Sequence, residues 1–198
     1  MEKEYWTNIE TGDIKAYSEV YVFYYKKLYN YGRKFTQDTT VIEDTIDEVF
    51  IMVWTNRQKL STIRSPHSYI FSSFRNNIFK KLKADKTTHD LELMGENDIE
   101  FSIDAIIINR EVDAARKLKI EKALSEITTR QKEAIFLRFY EGLSYEEVAG
   151  IMNISVKATY KIMARALKDL KNILGIFLFA LLTSLTPYII KMPFFINP

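Results

Sequence analysis

Between Ser144 and Leu170 the chain reads SYEEVAGIMNISVKATYKIMARALKDL, and this stretch constrains the fold more than any other. Ser144 followed by Glu147 has the spacing of a capping box, in which each side chain satisfies a backbone N–H of the other. A short helix bearing Tyr145, Val148, Ala149 and Met152 is expected after it. Asn153-Ile154-Ser155 then supplies a tight turn, and Ser155 caps a longer helix with Thr159, Ile162, Met163, Ala166, Leu167 and Leu170 inside. Short helix, tight turn and longer helix form the helix-turn-helix pattern. Lys157, Lys161, Arg165 and Lys168 recur about once per turn on the outer face of the second helix. Cations belong there if that helix enters a groove, because phosphate contacts supply most of the affinity. Thr159 and Tyr160, near its start, are candidates for reaching base edges.

The residues before this motif continue the helical pattern. Thr128 and Gln131 form another T-x-x-Q cap, opening a helix with Ile135, Phe136 and Phe139 that Gly142 ends. Toward the N-terminus, Ile14, Tyr17, Tyr21, Tyr24 and Leu28 lie on one stripe, with Gly32 as the stop. Thr40 and Glu43 have capping-box spacing, and Ile42, Ile46, Val49, Phe50 and Val53 share the buried face of the helix that follows. Its other face carries Glu43, Asp44, Asp47 and Glu48. Ser65-Pro66 opens a third helix with Ile70, Phe74, Ile78 and Leu82 inside and Arg75, Asn76, Lys80 and Lys83 outside. Helical spacing makes Phe71, Phe74 and Phe79 core residues rather than stacking platforms. No stretch alternates with period two long enough to read as a strand.

Charge falls in blocks that the net value of +2 conceals. An acidic block spans 41–50, a basic one 64–86, an acidic one 90–104 and a basic one 155–171. Two basic blocks, each on a helix with an apolar opposite face, imply two polyanion contacts. The aperiodic, acidic segment near 87–102 reads as a linker. The expected fold is therefore all-α: a helical domain over 1–86, the linker over 87–102, a helix-turn-helix domain over 103–172 and a hydrophobic extension over 173–198.

Both halves together resemble an extracytoplasmic-function (ECF) sigma factor of the sigma-70 family. Leu124 to Leu170 looks like the C-terminal promoter-binding domain of that family. VIEDTIDEVFIMVW, from Val41 to Trp54, resembles the sigma-2 helix that grips the polymerase clamp. SYIFSSFRNNIFKKLK, from Ser68 to Lys83, resembles the helix that melts and reads the −10 element. The resemblance implies an alternative sigma factor that binds core RNA polymerase and directs promoter-specific initiation. It implies Glu43, Asp44, Asp47, Glu48 and Trp54 as polymerase contacts. It places Arg64, His67, Arg75, Asn76, Lys80 and Lys83 at the melted −10 strand. Ser155, Lys157, Thr159, Tyr160, Lys161 and Arg165 fall at the −35 duplex. An anti-sigma factor or a recruiting DNA-targeting protein is the implied regulator. The chain departs from the family pattern at Lys80, where an acidic residue is frequent, at Tyr69, where tryptophan is common, and at Ile127-Thr128 in place of Leu-Pro.

Other functions fit less well. No P-loop, Gly-rich dinucleotide turn or HxxxH is present, so neither catalysis nor a cofactor or metal is expected. With Cys 0, disulfides and thiol chemistry are excluded, and the cytoplasm is the default compartment. Residues 1–13 are polar and acidic and do not read as a signal peptide. The alternative function is a helix-turn-helix regulator that binds duplex DNA without polymerase. The uncharged run between Asn172 and Ile190 sits at the lower length limit for a membrane span, with Lys168 and Lys171 before it and Pro187 against it. Membrane contact through 173–190, docking onto a partner and packing on the second domain are the three readings of that segment.

Overall fold

The computed structural model describes residues 2–84 and 123–174. The linker, and the extension from residue 175 onward, lie outside the described residues. Among those described, every regular element is a helix.

The first group has four α-helices: α1 (Glu2–Glu10), α2 (Ile14–Gly32), α3 (Thr39–Thr55) and α4 (Pro66–Ala84). A 3-10 segment, Arg57–Thr62, joins α3 to α4. Helix α1 was not legible from periodicity, yet Trp6 and Ile9 on it are buried against α2 and the 3-10 segment. Its presence shifts the buried stripe of α2 to Ala16, Val20, Tyr24, Leu28 and Tyr31. Ile14, expected inside, is 67% exposed because it sits at the first helical position, just after the Asp13 cap and off that stripe. The cap of α3 also differs from expectation. Asp38, not Thr40, accepts from the amides of Thr40 and Val41. Ile42, Ile46, Val49, Phe50 and Val53 of α3 are buried as expected. Gly32 lies where α2 crosses α3 and α4: a Cβ there would stand 2.8 Å from Ile42 and 3.0 Å from Phe74, so only glycine permits this approach.

The second group contains α5 (Thr129–Ile135), a π-helical turn (Phe136–Tyr140), α6 (Tyr145–Ile151) and α7 (Val156–Leu174). Both expected capping boxes are present, Thr128 with Gln131 and Ser144 with Glu147. The Gln131 side chain also donates to Asp169 at 2.9 Å, tying α5 to α7. The π turn, closed by Glu141 N–H donating to the Phe136 carbonyl, brings Phe136 and Leu137 inward together. Gly142, at φ +74, ends it, and Asn153, at φ 53, makes the turn between α6 and α7.

The two groups are not separate bodies on a tether. Helix α4 packs on α6. One continuous apolar cluster runs from Trp6 and Tyr31 through Phe71 and Phe74 to Phe136, Val148 and Met163. Phe136 stacks on Tyr31 with ring centroids 5.6 Å apart and planes 7° from parallel.

Candidate nucleic-acid interface

Helix α7 carries its basic residues outward. Lys157, Lys161, Arg165 and Lys168 are all exposed, while Met163, Ala166 and Leu170 are buried on the opposite side. Ser155 accepts from the Ala158 amide at 3.2 Å, so the helix starts where the turn presents it. Tyr160 is 44% exposed and lies flat on Tyr145, ring centroids 4.2 Å apart. The Arg138 guanidinium sits 5.0 Å over the other ring of this pair, Tyr145, and donates to the Leu143 carbonyl. Arg138, Tyr145 and Tyr160 thus form a layered ledge beside the start of α7. Burial raises the pKa of the Tyr145 hydroxyl against the opposing charge of Arg138. Sequence reasoning missed Arg138, because a ledge built from three elements leaves no periodic signal. Thr159 corrects an expectation. It is fully buried and its hydroxyl donates to the Ser155 carbonyl, so it is a core residue with no access to bases.

Helix α3 presents the opposite charge. Glu43, Asp44, Asp47 and Glu48 are exposed along one face, and Ile51, 64% exposed, extends it with an apolar side chain. Three of the carboxylates are held in place by neighbours. Tyr21 donates to Asp47 at 2.8 Å, Tyr25 to Glu43 at 3.2 Å, and Lys81 pairs with Glu48 at 2.9 Å. Burial, then the hydrogen bond and charge of Asp47, push the Tyr21 hydroxyl up to about 12. Trp54 is half-buried at the end of the face, between Tyr17 and the guanidinium of Arg57 4.7 Å away.

On and just before α4 the expected residues divide. Arg64, Asn76 and Lys80 are exposed, and Lys83 is half-buried. His67 is half-buried, its ring stacked on Phe71 and set edge-on to Tyr24. Arg75 corrects the expectation of an outward cation, because it is 2% exposed. Its guanidinium lies 4.2 Å over Phe79 and makes two bonds to Glu133 on α5, at 2.7 and 3.2 Å. The Tyr31 hydroxyl donates to the same carboxylate. Glu133 escaped sequence reasoning because an acidic residue beside apolar Ala134 reads as solvated, and its partner is 58 residues away. Among the described residues no group of His, Asp and Glu could hold a metal ion.

Two family models match the chain: Sigma-70 region 2 over residues 20–88 and Sigma-70, region 4 over residues 117–170. The chain is 20% identical over 166 residues to the ECF RNA polymerase sigma factor SigK of Mycobacterium bovis (strain BCG / Pasteur 1173P2), covering 83% of this chain and 88% of that one. SigK of Mycobacterium ulcerans (strain Agy99) is 20% identical over 168 residues, covering 84% and 89%. Among solved structures, CnrH in complex with the cytosolic domain of CnrY superposes with TM-score 0.54 at 19% identity, covering 91% of this chain and 96% of CnrH. The sigma factor RpoE in complex with the anti-sigma factor NepR, from Bartonella quintana, gives 0.55 at 19% identity, covering 82% and 98%. At such identities these structures speak to the fold alone.

Proposed function

The chain belongs to the ECF group of the sigma-70 family, and on that premise we propose that it is an alternative sigma factor that binds core RNA polymerase and directs promoter-specific initiation. The observation that carries this reading is the pair of oppositely charged helical faces on one small chain. The basic face of α7 suits duplex DNA. The acidic face of α3 would repel DNA and suits a basic protein surface. A regulator that bound duplex DNA alone would have no use for the second.

In this reading residues 1–86 and 103–172 are the two functional domains, joined by the linker over 87–102. Glu43, Asp44, Asp47 and Glu48, with Trp54 at their end, meet the polymerase clamp. Complementary charge there fixes register and speeds encounter. Lys157, Lys161 and Arg165 straddle the −35 phosphates, Ser155 sets the entry of the helix, and Tyr160 on its ledge reaches the base edges. Arg64, His67, Asn76, Lys80 and Lys83 hold the melted −10 strand, joined by Arg75 once it leaves Glu133. A regulator comparable to the anti-sigma factor bound to RpoE would hold the chain in reserve.

The test is gel filtration of the full chain with core polymerase from its own host. Co-elution at one-to-one stoichiometry is expected. A chain that binds duplex DNA yet never co-elutes with polymerase would support the independent regulator instead.

A further inference from the structure

Helix α2 turns one side away from the core. Val22 and Phe23 on that side are 71% and 50% exposed, although Ala16, Val20, Tyr24 and Leu28 of the same helix are buried. They lie in an open groove lined also by Lys15, Ser18 and Glu19. The surface continues to the seam between the two helical groups, where Phe23, Lys26 and Asn30 share a cleft with Tyr140. Neighbouring exposed apolar side chains ringed by charge mark an interaction surface.

The charges on this side of α2 are arranged about its middle. Glu19 precedes Val22 by three residues, and Lys26 follows Phe23 by three. Lys15 and Asn30 stand seven residues out on either side. Spacings of three and seven keep these residues on one helical face. Among the described residues neither Glu19 nor Lys26 has an ion-pair partner. Lys27, the next cation, is already held by Glu141 at 2.8 Å.

We propose that this face binds a second copy of the chain, with the two α2 helices antiparallel about a twofold axis beside Val22 and Phe23. A twofold contact is isologous, so each pairing across it occurs twice. Val22 of each copy meets Phe23 of the other, and Glu19 of each meets Lys26 of the other. Lys15 then faces neutral Asn30 rather than another cation. A parallel pairing would bring like charges to the same level, Glu19 beside Glu19 and Lys26 beside Lys26. One side of one helix, with Tyr140 at its rim, is small beside the interfaces of permanent dimers, so the pair is a reversible one. Neither the acidic row of α3 nor the basic stripe of α7 lines the groove, and the inference stands apart from the polymerase-binding reading.

Sedimentation equilibrium of the full chain should show reversible monomer–dimer exchange. Val22→Glu, at an exposed position where the fold loses little, should raise the dissociation constant at least about tenfold. Glu19→Lys and Lys26→Glu should each weaken self-association about fivefold or more, because each sets two like-charged pairs across the axis. Mixed one to one, these two reversed chains should pair with each other as tightly as the parent does, since every charged contact then joins opposite signs. A chain that stays monomeric throughout overturns the proposal. Self-association that Val22→Glu leaves unchanged also overturns it, and puts the contact elsewhere in the chain, the apolar extension included. Reversed chains that associate no better together than apart overturn the antiparallel pairing.

Discussion

Arg75 and Glu133, 58 residues apart in the chain, meet through two hydrogen bonds in a pocket that leaves their side chains 2% and 3% exposed. Neither charge could be buried there alone. An unpaired charge in the interior costs about 3–5 kcal/mol, so removing one partner forces the other toward water. Glu133→Gln should therefore part the two groups of helices, seen as a larger radius of gyration in small-angle scattering. Replacing the whole cluster by apolar residues, as Arg75→Met, Glu133→Met and Tyr31→Phe together, should keep the chain compact. If the single variant stays compact and the triple one expands, the ion pair is not what governs the seam.

The acidic face of α3 is expected to act in the encounter with polymerase. Charge reversal at Asp44, Asp47 and Glu48 together should weaken association by at least about tenfold and flatten its salt dependence. Titration of labelled chain with core polymerase at two salt concentrations checks both. Undiminished affinity would remove α3 from the interface.

On α7 two neighbouring residues should fail in different ways. Lys161→Ala should weaken duplex binding on every sequence and lower the salt slope by about one unit, as loss of one phosphate contact requires. Thr159→Lys should unfold the second group instead, because Thr159 is fully buried. Salt-dependent anisotropy and thermal melting separate the two effects. A folded, duplex-binding Thr159→Lys chain would contradict the buried placement.

Glu147 gives the seam a pH dependence of known sign. Burial alone would raise its carboxyl, but the Ser144 amide, the hydroxyls of Ser65 and Ser144 and the charge of His67 outweigh it and hold the group below the ordinary 4.5. A depressed folded value means stabilisation that is complete above 4.5 and lost as pH falls through that lower value. Glu141 runs the other way. Burial raises it despite Lys27, so its contribution is present below 4.5 and fades as pH rises through its folded value. Melting curves of the parent and Glu147→Gln should differ by a constant amount above 4.5 and converge in acid. A difference that persists unchanged into acid would show that the carboxylate charge is not what Glu147 contributes.

Much of this was legible in the sequence where information is local. The Thr128 and Ser144 capping boxes, the buried stripe of α3 and the basic stripe of α7 each depend on residues within a few positions of one another. What the sequence hid is long-range. Among the described residues of helix α1, Trp6 and Ile9 are the buried ones, too few for a periodic signal. The Arg138–Tyr145–Tyr160 ledge joins three elements. Arg75 and Glu133 each look solvated until the fold brings them together, which is why an outward cation was expected where the structure has a buried pair.

The account is tested most directly by run-off transcription with purified chain, core polymerase from the same host and a library of that host's upstream regions. A sigma factor should produce transcripts with discrete start points that core polymerase alone does not make. The charge-reversed α3 variant and Lys161→Ala should both reduce them. Transcripts that are the same with and without the chain would contradict the account.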